Sequence, residues 1–171
     1  GRGKATCAGA DTSVINEDDF SETESEYAHK QQETFQMVQD YPRPTVMACK
    51  GATIGAGVLF AADHDFAVLG EKTTFSYPET KVGLFSDRLP KLLLHNHGSQ
   101  VAREVILKSE EIDPERALEL GLVTDLVPES EVEQTARELV EQLADYDETV
   151  VRMIKETLKF EFDPENHIGY H

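Results

Sequence analysis

Positive charge is what this sequence is shortest of: its 171 residues carry 16 Lys and Arg against 33 Asp and Glu, a net charge of −17 with a pI near 4.6. Such a field repels phosphate backbones and anionic lipid, so no nucleic acid and no membrane is expected as a partner. Cysteine is sparse as well. The two present, Cys7 and Cys49, are too few for a disulfide scaffold and suit a reducing compartment, with a cytoplasmic location the expectation. Long apolar sequence is also missing. The longest stretch, Gly51 to Ala62, runs about 12 residues and is broken by glycine, against the about 20 that a membrane span requires. An initiator Met is absent and Gly1 to Asp11 reads as the interior of a chain, so a fragment is expected.

Several catalytic signatures are absent too. There is no repeat at a period of about 20 to 50 residues, no phosphate-binding Gly-Lys-Ser/Thr ending, and no six-residue dinucleotide spacing. No Gly-x-Ser-x-Gly elbow marks a serine nucleophile. Asp63-His64-Asp65 and His95-Asn96-His97 look like metal spacings. However, histidines at i and i+2 of a helix do not share a face and no third ligand accompanies them, so no metal is expected.

What is present alternates. Phe20 to Val38 has a sparse helical apolar spacing, closed by Asp40 to Pro44 with two prolines. Thr45 to Cys49 reads as a buried strand, followed by a Gly-rich turn and a helix to Ala62. Asp65 to Leu69 and Thr73 to Phe75 read as further strands. Beyond Pro78 the pattern is helical near 87–96, 99–107, 114–120, 129–145 and 148–160, with Leu122 to Val127 the one late strand. Strands alternating with helices before a helical tail predict an α/β layered core. The expected division is 1–86, a partial core carrying the site, and 87–171, mostly helical.

Two features carry chemistry. Gly55-Ala56-Gly57 opens a helix whose first N–H groups are unpaired and sit at the positive end of the dipole, where an anion or a developing oxyanion is stabilised; tight helix-on-strand packing explains the glycines equally well. Glu79 lies in Phe75-Ser76-Tyr77-Pro78-Glu79, among apolar and aromatic neighbours. Desolvation there would raise a carboxyl pKa towards the range where proton transfer is efficient; a solvated surface charge is the commoner place for any one of 33 acids.

Taken in order, Cys7-Ala8-Gly9-Ala10-Asp11, Arg43 to Gly51 running into Ile54-Gly55-Ala56-Gly57, Asp65 to Leu69, Phe75 to Glu79 with Gly83-Leu84, and Ala117 to Val123 with Val127-Pro128 resemble the enoyl-CoA hydratase/isomerase, or crotonase, family. The resemblance implies a crotonase-like α/β fold, a repeated ββα superhelix with a helical C-terminal region. It also implies a homotrimer or dimer of trimers, a segment ahead of Gly1 with early strands and part of the CoA pocket, and final helices shortened at the C-terminus. The partner it implies is an acyl-CoA thioester. No cofactor beyond that coenzyme A is implied.

The same resemblance assigns roles. The backbone N–H groups of Ala10 and Ala56 would polarise the thioester carbonyl. Ala8, Gly9, Asp11, Gly55, Gly57, Leu59 and Gly83 would surround the substrate, and Glu79 would be catalytic. Hydratases of the family hold water between two glutamates; Glu79 matches the second, and Leu59 stands where the first should be. Their Pro-Gly-x-Gly-Gly segment is replaced by Leu84-Phe85-Ser86-Asp87-Arg88-Leu89-Pro90. One carboxylate can still carry a proton from one carbon to another, so the expectation is an isomerase converting 3-enoyl-CoA to 2-enoyl-CoA. The alternatives are a hydratase, a decarboxylase or hydrolase using Asp87 or a residue outside the chain, and a non-catalytic acyl-CoA-binding subunit.

Overall fold

A computed structural model describes Gly3, residues 5–9 and residues 23–159. Its strands are short and apolar, and each successive pair is divided between two sheets. Strand β1 (Val46–Cys49) leads through Gly51, at φ 62, into β2 (Ala52–Ile54), which feeds helix α2 (Ala56–Asp63). The pattern then repeats with β3 (Phe66–Gly70), β4 (Thr74–Ser76) and helix α3 (Arg88–Arg103). β1 pairs in parallel with β3 in the register Val46↔Phe66 to Cys49↔Leu69, and β2 with β4 from Ala52↔Thr74 to Ile54↔Ser76. Two ββα units are thus stacked one on the other.

The chain beyond α3 completes both sheets. β5 (Glu111–Ile112) runs antiparallel to β4, and β6 (Asp125–Val127) parallel to β3, giving the orders β1-β3-β6 and β2-β4-β5. Helices α1 (Thr23–Gln39), α4 (Pro114–Glu119), α5 (Val132–Ala144) and α6 (Glu148–Leu158) pack around them. Among the described residues no helix is long and apolar enough to cross a membrane.

Helix α2 is the pivot. Its sequence is apolar on almost every side, so it is buried between layers, with Val58, Leu59 and Ala61 all in the core. Removing a Val or Leu side chain from water stabilises by about 1.5–3 kcal/mol. Gly57 sets its distance from the 5–9 segment, since a Cβ there would stand 2.9 Å from the Cys7 carbonyl oxygen. Phe35 of α1 packs on Phe60 with ring centroids 4.5 Å apart, and Leu89, Leu92 and Leu93 of α3 close the core. A smaller cluster of Val68, Val132 and Ala136 seats α5 on the first sheet.

Several boundaries differ from the sequence expectation. The helix expected from Phe20 is described from Thr23, and Phe20 itself lies outside the described residues. The break expected between 96 and 99 is present as a kink at Gly98 (φ 82, ψ 172), but the second helix ends in a π-turn over Glu104–Lys108. Leu122 and Val123 are buried in a turn, and only Asp125–Val127 pairs as strand. Thr73 is not in β4; its hydroxyl donates to the Cys49 carbonyl at 3.2 Å, bridging the layers.

Candidate active site

Three segments meet where β2 passes into α2. The 5–9 segment is hydrogen-bonded to β2 through Cys7 N–H to the Ala52 carbonyl (3.0 Å) and Ile54 N–H to the Cys7 carbonyl (2.8 Å), which brings Gly9 beside Ile54 and Gly55. Gly55 N–H donates to the Ser76 carbonyl at 2.9 Å, joining the turn to the end of β4. Tyr77 and Pro78 then deliver Glu79 at the start of a short 3-10 turn, Glu79–Val82.

Glycine is required at 55. Its φ of 57 and ψ of −113 suit a residue without a side chain, and a Cβ there would collide with Glu79 Oε1 and lie 3.6 Å from Gly9 Cα. The carboxyl of Glu79 therefore rests against bare backbone. Its Oε2 is buried and has no hydrogen-bond partner among the described residues. Burial pushes its pKa up to about 7, opposed only by a hydrogen bond from its own backbone N–H. A carboxyl poised near neutrality, with no cation among the described residues holding its charge, is suited to taking up and returning a proton.

Beside it, Ala56 is the first residue of α2, so its N–H has no intrahelical acceptor and stands at the positive end of the helix. Of the other candidates, Ala8 is exposed, Gly9 is half-buried at the Gly55 turn, and Gly57 packs against Cys7. Leu59 is 4% exposed, one turn along α2 from Gly55, whose carbonyl accepts its N–H at 3.3 Å. Gly83 adopts φ 76 to close the turn after Glu79, with open space around it. Ala10 and Asp11 lie outside the described residues.

The first of the two histidine motifs has other partners. Asp63 pairs with Arg88, Asp65 accepts from Thr45 and Lys155, and His64 Nδ1 meets the Phe60 carbonyl. Among the described residues no group of three His, Cys, Asp or Glu side chains could hold a metal. A cleft of about 550 Å³ is found at the far end of α2, lined by Asp63, His64, Leu92, Tyr146 and Lys155 among others; it does not reach Glu79.

Sequence reasoning missed the side chains that brace this site. Arg88 enters the core beside Leu89, Leu92 and Leu93 and binds Asp63 at the end of α2; nothing local in the sequence separates it from Lys91 three residues on. Glu129 accepts the Gly51 N–H at 2.8 Å and fills the space beside Gly70, fixing the turn between β1 and β2. Nothing local in the sequence marks it.

The enoyl-CoA hydratase/isomerase family model matches residues 1–170. A putative enoyl-CoA hydratase of Thermus thermophilus is 31% identical over 160 residues, covering 92% of this chain and 63% of that protein. A carnitinyl-CoA dehydratase of Salmonella typhi is 33% identical over 122 residues, covering 68% and 45% respectively. Among solved structures, Pseudomonas aeruginosa DspI superimposes with a TM-score of 0.81 at 26% identity, covering 91% of this chain and 64% of that one. An enoyl-CoA hydratase from Bacillus anthracis does so with a TM-score of 0.80 at 29% identity, covering 91% and 60%. The chain thus spans less than two thirds of these relatives, and its stacked ββα units are the crotonase fold. A family model matched along almost the whole sequence, on that fold, makes this chain a member of the enoyl-CoA hydratase/isomerase family.

Proposed function

We propose that the protein acts on an acyl-CoA thioester and shifts its double bond from the 3,4 to the 2,3 position. Glu79, as carboxylate, takes a proton from C2 of a 3-enoyl-CoA, and the electrons pass into a dienolate whose oxygen carries the charge. The N–H groups of Ala56 and Ala10 hold that oxygen; losing one such donor typically costs about 100- to 1000-fold in rate. Glu79, now protonated, returns the proton to C4. No atom is gained or lost, and coenzyme A enters only as part of the substrate, with no separate cofactor.

The observation carrying this reading is a carboxyl with no acidic neighbour acting on it among the described residues: Glu79 rests against Gly55 with one buried oxygen unpaired, while Leu59, one turn on from Gly55, is packed into the core. Water activation by a glutamate pair lacks the first glutamate there. A second reading, hydration of a 2-enoyl-CoA, is favoured by the names of relatives, a putative enoyl-CoA hydratase and a carnitinyl-CoA dehydratase. Assaying both reactions in the intact protein and in Glu79→Gln separates them. The isomerase reading expects rapid double-bond shift, slow hydration, and loss of the shift in the variant. Fast hydration by the parent favours the hydratase, and acyl-CoA binding with no turnover favours a non-catalytic member.

A trimer belongs to the same proposal. Exposed Val150, Met153, Ile154 and Leu158 give α6 an apolar outer face that supports assembly, which light scattering on the intact protein tests.

A further inference from the structure

The segment carrying Glu79 is tied at two points to the turn that follows α3, one on each side of the glutamate. Ser109 Oγ donates to the Tyr77 carbonyl at 2.6 Å, and Thr80 Oγ1 donates to the Ile106 carbonyl at 2.7 Å. Each side supplies one hydroxyl and one carbonyl. The chain then continues as β5, pairing Ser76↔Glu111 and Phe75↔Ile112. Residues 104–112 therefore form a splint along residues 75–80, on the side of β4 opposite β2.

The splint is built from two uncommon backbone conformations. Residues Glu104–Lys108 form a π-helical turn, and Ser109 has φ 52, the one positive φ outside glycine among the described residues. A side chain in the left-handed region is disfavoured, and such strain persists where the surroundings over-determine it, most often beside functional groups; π-turns cluster there too. Glycine would occupy position 109 without strain but could not hold Tyr77. Ser109 is only 3% exposed, so its hydroxyl has the Tyr77 carbonyl in place of water.

We propose that Ser109 and Thr80 are positioning residues for Glu79, holding the backbone on both sides of it so that the carboxyl stays pressed against Gly55 and out of water. This rests on the reading of Glu79 as the proton carrier. Neither hydroxyl touches the reacting atoms. When either is removed, the segment drifts from the Gly55 turn, water reaches the carboxylate, and burial no longer raises its pKa as far. The loss falls on the proton-transfer step rather than on substrate binding.

The test uses Ser109→Gly, Ser109→Ala, Thr80→Val and Thr80→Ser in the intact protein. Each is measured for melting temperature, for kcat and KM on 3-enoyl-CoA and 2-enoyl-CoA, and for the 13C titration of the Glu79 carboxyl. Removing either hydroxyl is expected to lower kcat about tenfold with KM changed by less than about twofold, since small misplacements of a reacting group cost rate steeply. The carboxyl titration moves from about 7 towards the ordinary range, while Thr80→Ser retains the parent behaviour. Ser109→Gly relieves the strain yet loses the hydroxyl, so it melts higher than Ser109→Ala while sharing its slow turnover. If Ser109→Gly and Thr80→Val keep the parent titration midpoint, the hydroxyls only stabilise the fold and the proposal is overturned, whether or not turnover is seen. Glu79→Gln at the parent rate overturns the proton-carrier reading and the proposal with it. An inactive Glu79→Gln beside hydroxyl variants indistinguishable from the parent overturns the positioning role alone.

Discussion

Arg88 and Asp63 face one another as a two-point ion pair inside the protein, Nε to Oδ2 at 3.1 Å and Nη2 to Oδ1 at 3.0 Å, with side-chain exposures of 2% and 0%. Gln39 donates to the same Oδ1 at 2.8 Å, and the guanidinium lies over the Phe35 ring. Helices α1, α2 and α3 are thereby joined at the end of α2 remote from Gly55. Asp63→Leu removes the carboxylate from beside a buried guanidinium and is expected to cost about 3–5 kcal/mol, whereas adding Arg88→Leu to it restores part of that loss, because an apolar pair leaves no charge to desolvate. Urea denaturation of the parent, single and double variants measures both. A double variant no more stable than Asp63→Leu refutes this account.

Gly55→Ala separates stability from catalysis. The added methyl meets the far end of the Glu79 side chain, which can swing aside, so the fold loses chiefly the cost of holding an alanine at φ 57, ψ −113, about 1–3 kcal/mol. The carboxyl, however, leaves the turn. Turnover is expected to fall at least tenfold while the melting temperature drops by a few degrees. A variant with the parent kcat would show that contact with Gly55 does not matter to the chemistry.

The raised pKa of Glu79 has two consequences of opposite sign. As proton acceptor it must be ionised, so kcat/KM rises with pH through about 7. For stability, the folded protein retains a proton that the unfolded chain releases near its ordinary value of 4.5. The folded state then binds more protons between about 4.5 and 7, so this group's contribution to stability falls as pH rises across that window and stays low above it. Glu79→Gln, which cannot ionise, is therefore expected to melt above the parent at pH 8 and to approach it near pH 4.5. Calorimetry at the two pH values checks this, and an equal difference at both contradicts it.

Net charge supplies a test of a different kind. Residues such as Glu138 and Glu141 lie exposed on α5, where their repulsion is screened by salt. With a net charge of −17, the melting temperature is expected to rise between low and molar sodium chloride. No rise would mean that the acids are already compensated by local ion pairs such as Arg43 with Glu148.

How much of this was legible in the sequence follows from how local each signal is. The Gly55 turn, β1 and the carboxyl at 79 were readable because a glycine-rich turn before an apolar helix, and an acid among aromatics, are features of adjacent residues, whereas Ala52–Ile54 reads as part of that turn and becomes strand β2 only by pairing with β4. The break at Gly98 was readable for the same reason. By contrast, β5 is two residues long and forms only because β4 has an open edge, while Asp63-His64-Asp65 imitates a ligand cluster until Arg88 and Lys155 arrive from distant helices. Ser109 was invisible because its left-handed backbone and its bond to Tyr77 are set by a turn and a strand that meet only in the folded chain.

Leu59 offers the most direct test of how the reaction divides between isomerisation and hydration. One turn after Gly55, the residue whose backbone Glu79 rests against, it is packed into the core and its side chain supplies neither charge nor hydrogen bond. Leu59→Glu introduces a second carboxyl one turn from that contact. Burying it is expected to cost about 1–3 kcal/mol if it finds no partner. Two carboxyls in one site cannot both ionise easily, so the lower limb of the pH profile moves above 7. With a pair available to hold water, hydration of 2-enoyl-CoA should increase relative to the double-bond shift. If the ratio of the two rates is unchanged in a variant that still folds, the apolar residue at 59 does not set the partition, and the choice between them rests on groups other than the α2 face.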